Sequence, residues 1–210
     1  VRSALQKAFL YGICDLGYVK IGTAEAVARA LLAGGVGILQ LRAKGHDPSE
    51  LGDLALKLRI LCDEFEKPFV INDHLELALK CQAHGLHLGQ DDGSLQEARS
   101  QVGPEMILGR STHSLEQARQ ALLDQADYIG FGPLFPTPTK KGRPGIGLDE
   151  IRCMQEEVGR QIPAFCIGGI KPENLEEVKQ AGARRVVMVS HLLSSPDPEQ
   201  ETTKILSQLS

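Results

Sequence analysis

Eight short apolar runs, separated by stretches of helical periodicity, constrain the fold more than any other feature of this sequence. They lie at about residues 9–14, 37–41, 69–71, 85–88, 106–109, 128–132, 164–167 and 185–189, and are rich in Val, Ile and Leu. Unbroken rather than alternating apolar runs suit strands covered on both faces, the usual state of a parallel sheet. Segments 24–32, 51–65, 115–123 and 175–181 carry apolar residues at helical spacing, and most runs are followed by such a segment. This alternation predicts an α/β fold, a (β/α)8 TIM barrel forming a single domain over 1–210, with a doubly wound open sheet as the alternative. Gly34-Gly35, Gly103, Gly159 and Gly182 mostly fall after helical stretches, where a left-handed residue is wanted.

In such a barrel the strand ends share one face, and that face carries the chemistry. Two acids sit there: Asp73 closes Phe69-Val70-Ile71-Asn72-Asp73, and Asp92 follows Gly85-Leu86-His87-Leu88-Gly89-Gln90-Asp91. Either acid alone reads best as a cap for the next helix. Both together, beside the cations described next, make an oxygen cage for Mg²⁺, which takes one or two carboxylates and completes its shell with water and phosphate. The second run ends Leu39-Gln40-Leu41-Arg42-Ala43-Lys44, and alternation puts Gln40, Arg42 and Lys44 on the inward face. Inward cations need an anion: either a neighbouring acid such as Asp73, or a phosphate clamped by the Arg42 fork and the Lys44 point charge.

The fifth run leads into Gly109-Arg110-Ser111-Thr112-His113-Ser114. Ser111 is placed to donate to phosphate, Ser114 to cap the following helix, and His113 to act in acid–base chemistry or simply to support a helix start. After the sixth run, the loop at 134–147 combines prolines, Thr137, Thr139 and Lys140 in a length suited to a lid. Gly168-Gly169 after run seven and Val189-Ser190 after run eight fit a tight turn or, in barrel register, the phosphate site formed by the last two loops.

A net charge of −4 argues against nucleic acid as a partner. No apolar run approaches membrane-spanning length, and no secretory-type start is present. Five scattered cysteines without C-x-x-C spacing point to free thiols in the cytoplasm, not to zinc or disulfides.

Taken together, Gln40-Leu41-Arg42-x-Lys44, Ile71-Asn72-Asp73, His87-Leu88-Gly89-Gln90-x-Asp92, Gly109-x-Ser111-x-His113-Ser114, Gly132-Pro133-x-Phe135-x-Thr137-x-Thr139-Lys140, Ile167-Gly168-Gly169-Ile170 and Val189-Ser190 resemble the thiamine-phosphate synthase family. The resemblance covers nearly the whole chain in barrel order. It implies a transferase of thiamine biosynthesis that joins hydroxymethylpyrimidine diphosphate to thiazole phosphate, giving thiamine phosphate and pyrophosphate. It further implies that Gln40, Leu41, Arg42, Ala43, Lys44, Asn72, Ser111 and Lys140 hold the pyrimidine diphosphate. Asp73 and Asp92 would hold Mg²⁺, while Thr137, Pro138, Thr139, Gly169, Val189 and Ser190 would hold the thiazole phosphate. Pyrophosphate leaves first in this chemistry, so Arg42, Lys44, Ser111 and Lys140 are the expected catalytic groups, acting through charge. A thiazole tautomerase using His113, and a non-catalytic thiazole phosphate-binding paralogue, are the alternatives.

Overall fold

The computed structural model describes residues 1–137 and 144–209. Eight parallel strands run in sequence order around a closed barrel. They are β1 (Leu10–Asp15), β2 (Ile38–Arg42), β3 (Phe69–Asn72), β4 (Gly85–Leu88), β5 (Ile107–Thr112), β6 (Tyr128–Phe131), β7 (Ala164–Ile167) and β8 (Val186–Met188). Closure comes from β1 pairing with β8, Leu10 opposite Val186, so the doubly wound alternative is excluded. Helices α1 (Arg2–Lys7), α2 (Ile21–Ala33), α3 (Gly52–Glu64), α4 (Leu75–Lys80) and α5 (Leu95–Val102) belong to the first half of the chain. The second half supplies α6 (Leu115–Leu123), α7 (Ile151–Glu157), α8 (Pro172–Gln180), α9 (Ser190–Leu193) and α10 (Pro198–Leu209).

Local chemistry accounts for several boundaries. The Ser94 and Ser114 hydroxyls accept from the Glu97 and Gln117 amides and so start α5 and α6, the side-chain cap a helix start wants. Neither Asp73 nor Asp92 caps the helix that follows it: His74 precedes α4 without a side-chain bond, and Ser94 starts α5. The fifth strand runs beyond the apolar pattern to Thr112. There Arg110, Ser111 and Thr112 still pair with Ile129, Gly130 and Phe131, and backbone pairing does not need apolar side chains. The C-terminal helix α10 had no strand to follow and was not anticipated. It buries Ile205 and packs on α2, where a Cβ on Gly34 would meet the Glu199 carbonyl at 2.5 Å.

Two apolar regions follow from strand alternation. Leu39, Leu41 and Ala43 join the layer between strands and helices. Ile38 points inward with Tyr11, Val70, Ile107, Tyr128 and Phe165, as the pleat requires. At the N-terminal end of the barrel, Leu5 of α1 and the adjacent Ala8 join this inner cluster and stop that end. Gly37 lets Ala8 approach, since a Cβ there would sit 2.7 Å from the Ala8 Cα.

Candidate active site

At the C-terminal end of the strands the barrel opens into a cavity. Strand β2 aims Gln40 and Arg42 into it. Arg42 stands opposite Asp15 in the β1–β2 register, and its guanidinium donates to the Asp15 carboxylate at 2.7 Å. Asp15 is only 1% exposed and also accepts from the Gly17 amide at 2.9 Å. Lys44 lies just past the strand, more exposed, with its ammonium 3.2 Å from Asp73 Oδ2. The two cations therefore divide between two acids, and the sequence reading had named only Asp73.

Asp73 follows β3 with a φ of 64°, a left-handed conformation that non-glycine residues seldom adopt. Its amide donates to the His87 carbonyl at 2.9 Å, which fixes the turn. Asp92 lies within hydrogen-bond reach of the Asp73 carboxyl, and accepts from the Gly89 amide at 2.8 Å. Burial, followed by the adjacent Asp92, pushes the Asp73 carboxyl up; Lys44 offsets this only in part. Burial acts upward on Asp92 too, but the Asp73 hydrogen bond, the Gly89 amide and the charges of Lys44 and Arg110 outweigh it and hold Asp92 low. Two carboxyls so placed share a proton or share a cation. The loop carrying Asp92 is tied down by Arg110, which donates to the carbonyls of Gly93 at 2.7 Å and Gln90 at 3.3 Å. Gln90 in turn donates to the Ser111 carbonyl at 2.6 Å.

On the other half of the rim, Gly168 and Gly169 have φ of 100° and 66°. The loop after β6 packs directly on them: a Cβ on Gly169 would come within 2.7 Å of the Phe135 Cβ. Backbone bonds from Leu134 to Ile167 (2.8 Å) and from Phe135 to Gly168 (3.1 Å) fasten this loop to the β7 turn. Ile146 returns to Pro133 at 2.8 Å, so both described ends of the expected lid are anchored.

Among the residues expected from sequence, Gln40, Arg42, Lys44, Asn72, Asp73 and Asp92 line the cavity on one side. Ser111, Thr137, Gly169, Val189 and Ser190 line it as well. Leu41 and Ala43 do not; their side chains are buried in the strand–helix layer, leaving only their backbone for a ligand. Pro138, Thr139 and Lys140 lie outside the described residues. His113 is not part of the lining; its Nδ1 meets the Gly132 carbonyl and its amide donates to Gln117 at 2.8 Å.

Sequence reasoning missed Asp15, Tyr11 and Tyr128, and gave His87 no role. Tyr11, Tyr128 and His87 line the cavity's inner wall. Tyrosines inside otherwise apolar strands were the available signal, since a buried hydroxyl needs a partner. Among the described residues no group of three or more His, Cys, Asp or Glu gathers to hold a metal, and no helix is long and apolar enough to cross a membrane.

Known proteins share both the sequence and this geometry. A relative named thiamine-phosphate synthase from Acidothermus cellulolyticus is 40% identical over 210 residues, covering 100% of this chain and 98% of its own. One of the same name from Gloeobacter violaceus is 43% identical over 185 residues, 88% of this chain, but this chain spans only 53% of its length. The chain likewise spans about half the length of several other relatives it matches. The solved structure of a thiamine phosphate pyrophosphorylase from Pyrococcus furiosus superposes with a TM-score of 0.84 at 31% identity, covering 99% of this chain and 98% of that one. The family model described as thiamine monophosphate synthase matches residues 10–192, every strand and most of the helices among them, and the chain belongs to that family.

Proposed function

We propose that this chain transfers a hydroxymethylpyrimidine group from its diphosphate to the ring nitrogen of a thiazole phosphate, releasing pyrophosphate and forming thiamine phosphate. One observation carries the reading. One half of the cavity, from β2 to β5, is lined by Arg42, Lys44 and Ser111, groups suited to an anion, and the other, at β7 and β8, by the Gly168-Gly169 turn and Ser190. Two separate phosphate seats facing one chamber suit two phosphorylated substrates meeting there. The names borne by similar proteins support the same chemistry.

Asp73 and Asp92 fit Mg²⁺. They are hard oxygen donors at hydrogen-bond reach, and burial together with the neighbouring Asp92 pushes the Asp73 carboxyl up, a cost that a shared cation relieves. Two carboxylates are as many as this ion usually takes from protein, the remaining positions going to water and phosphate oxygens. When bound, Mg²⁺ would neutralise charge on the departing pyrophosphate. The chain's own groups do the rest: Arg42 and Lys44 present fixed positive charge, Ser111 a hydroxyl, and Lys140 belongs to the same set by resemblance. Such a reaction needs no protein nucleophile. Small-molecule substrates, no nucleic-acid or membrane partner and a cytoplasmic setting complete the reading, which the five unbridged cysteines suit. The described geometry favours the synthase over tautomerisation by His113, because that ring is spent on the Gly132 carbonyl and is not among the lining residues.

The test supplies pure protein with both substrates and Mg²⁺ and follows pyrophosphate and thiamine phosphate together. Equal, metal-dependent formation of the two is expected. Asp73→Asn and Asp92→Asn should each lower turnover by roughly 100-fold and raise the Mg²⁺ needed, as removal of a charge-stabilising group does. Either variant working normally at limiting Mg²⁺ removes that carboxylate from the metal site. Thiazole isomerisation without pyrophosphate would replace the reading altogether.

A further inference from the structure

Along the inner wall of the cavity five polar side chains form one continuous hydrogen-bonded line across the barrel interior. Gln40 Nε2 donates to the Tyr11 hydroxyl at 2.9 Å, and the Tyr11 and Tyr128 hydroxyls are 2.9 Å apart. The Tyr128 hydroxyl is 3.0 Å from His87 Nδ1, and His87 Nε2 is 2.9 Å from Ser111 Oγ. Ile38, Val70, Ile107 and Phe165 pack against its deeper part at Tyr11 and Tyr128, where a buried hydroxyl needs a partner, while all five groups also line the cavity.

A proton count limits the orders the line can take. With a neutral imidazole, Tyr11, Tyr128, His87 and Ser111 bring four protons to three links, so one proton is surplus. In the order that starts from the Gln40 amide and has each group hand its proton on, Tyr11 donates to Tyr128, Tyr128 to His87 Nδ1, and His87 Nε2–H to Ser111. The Ser111 proton is then the surplus, and Ser111 lines the cavity. In the opposite order Ser111 spends its proton on His87 and can only accept. Burial pushes both phenols well above their ordinary range, so they keep the protons this count requires.

We propose that the line runs from Gln40 to Ser111, making His87 a positioning residue, locked as the neutral Nε2–H tautomer, that leaves the Ser111 hydroxyl free to donate to an anionic diphosphate. The direction rests on the synthase reading, because an anion beside Arg42 and Lys44 wants donors. It has a second consequence. A histidine 2.9 Å from a serine has the spacing of a base and its nucleophile, but here the imidazole donates, so Ser111 is not activated for attack.

The tautomer is read by long-range ¹H–¹⁵N NMR of the imidazole rings in the full, ligand-free chain, with the His87 signals assigned by their loss in His87→Asn. A single Nε2–H ring is expected. Tyr128→Phe removes the donor to Nδ1 and should leave His87 averaging between tautomers. In the same variant the saturating rate of pyrophosphate release should fall about tenfold with the KM for thiazole phosphate changed less than about twofold, since one donor is misdirected rather than removed. An Nδ1–H ring or an averaged ring in the wild type overturns the proposal, as does a Tyr128→Phe protein with wild-type ring signals or wild-type saturating rate. Because the ring is read without substrate, a wild type that released no pyrophosphate would sink the synthase reading and not the order of the line.

Discussion

Removing the charge of Arg42 should destabilise the barrel more than removing the charge of Asp15, because the two ends of their ion pair differ in access to water. The Asp15 side chain is 1% exposed and that of Arg42 15%. Orphaning one partner of a buried pair costs about 3–5 kcal/mol. In Arg42→Met the buried carboxylate keeps, among the described residues, the Gly17 amide, and the cost should be about 3–4 kcal/mol, in the lower half of that range. In Asp15→Ala the guanidinium can lean toward the cavity mouth and recover hydration, and about 2–3 kcal/mol is expected. The double variant Asp15→Ala/Arg42→Met leaves no orphan charge, so it should cost less than the sum of the singles, with a coupling of about 1.5–3 kcal/mol. Urea unfolding at pH 7, followed by far-ultraviolet circular dichroism with a common slope, measures all of these. A domain stable by about 5–15 kcal/mol keeps each single variant folded at 25 °C. Additive costs, or Asp15→Ala as the worse single variant, would refute the reasoning.

Gly169→Ala should raise the KM for thiazole phosphate about tenfold, since a side chain at φ 66° against Phe135 carries strain of about 1–3 kcal/mol; an unchanged KM in steady-state assays would separate that turn from the phosphate seat. Glu201 on α10 meets His191 at 2.7 Å, and that hydrogen bond, with Lys204 nearby, holds its carboxyl below the ordinary value even though burial acts upward. A depressed carboxylate stabilises above its unfolded pKa, about 4.3 for Glu, and loses that contribution as pH falls through the folded value. Glu201→Gln should therefore lower Tm slightly near neutrality, by the equivalent of less than about 1 kcal/mol, and match the wild type in acid; a gap that stays constant with pH would mean the residue acts through packing alone.

Strand order, and which of the expected residues face one cavity, were legible because burial on two faces writes itself into sequence as unbroken Val, Ile and Leu, and because the pleat then dictates that Gln40 and Arg42 face inward when Leu39 and Leu41 do not. Asp15 was not legible. Its role depends on standing opposite Arg42, and that register is a property of two strands, not of either one. The inner hydrogen-bonded line escaped for the same reason: Tyr11, Gln40, His87, Ser111 and Tyr128 come from five strands, and although Gln40 and Ser111 stood out singly, no one segment says that the five meet. The Asp73 and Asp92 carboxylates were visible as acids at adjacent strand ends, but the left-handed turn at Asp73 and the Gly89 amide that orients Asp92 are conformational facts with no residue signature. Helix α10 hid because helical spacing alone does not say what a helix covers.

With Leu5 and Ala8 stopping the N-terminal end of the barrel, the described residues leave the chamber one door, at the C-terminal ends of the strands. Traffic through one door has an order: whatever sits deeper must enter first and leave last, and whatever sits nearer the rim controls its exit. If, in the proposed transfer, the ring of one substrate rests against the Tyr11–Tyr128 wall, the other closes the chamber over it, and the bond between them would form in a space whose outlet at the strand ends is occupied by a reactant.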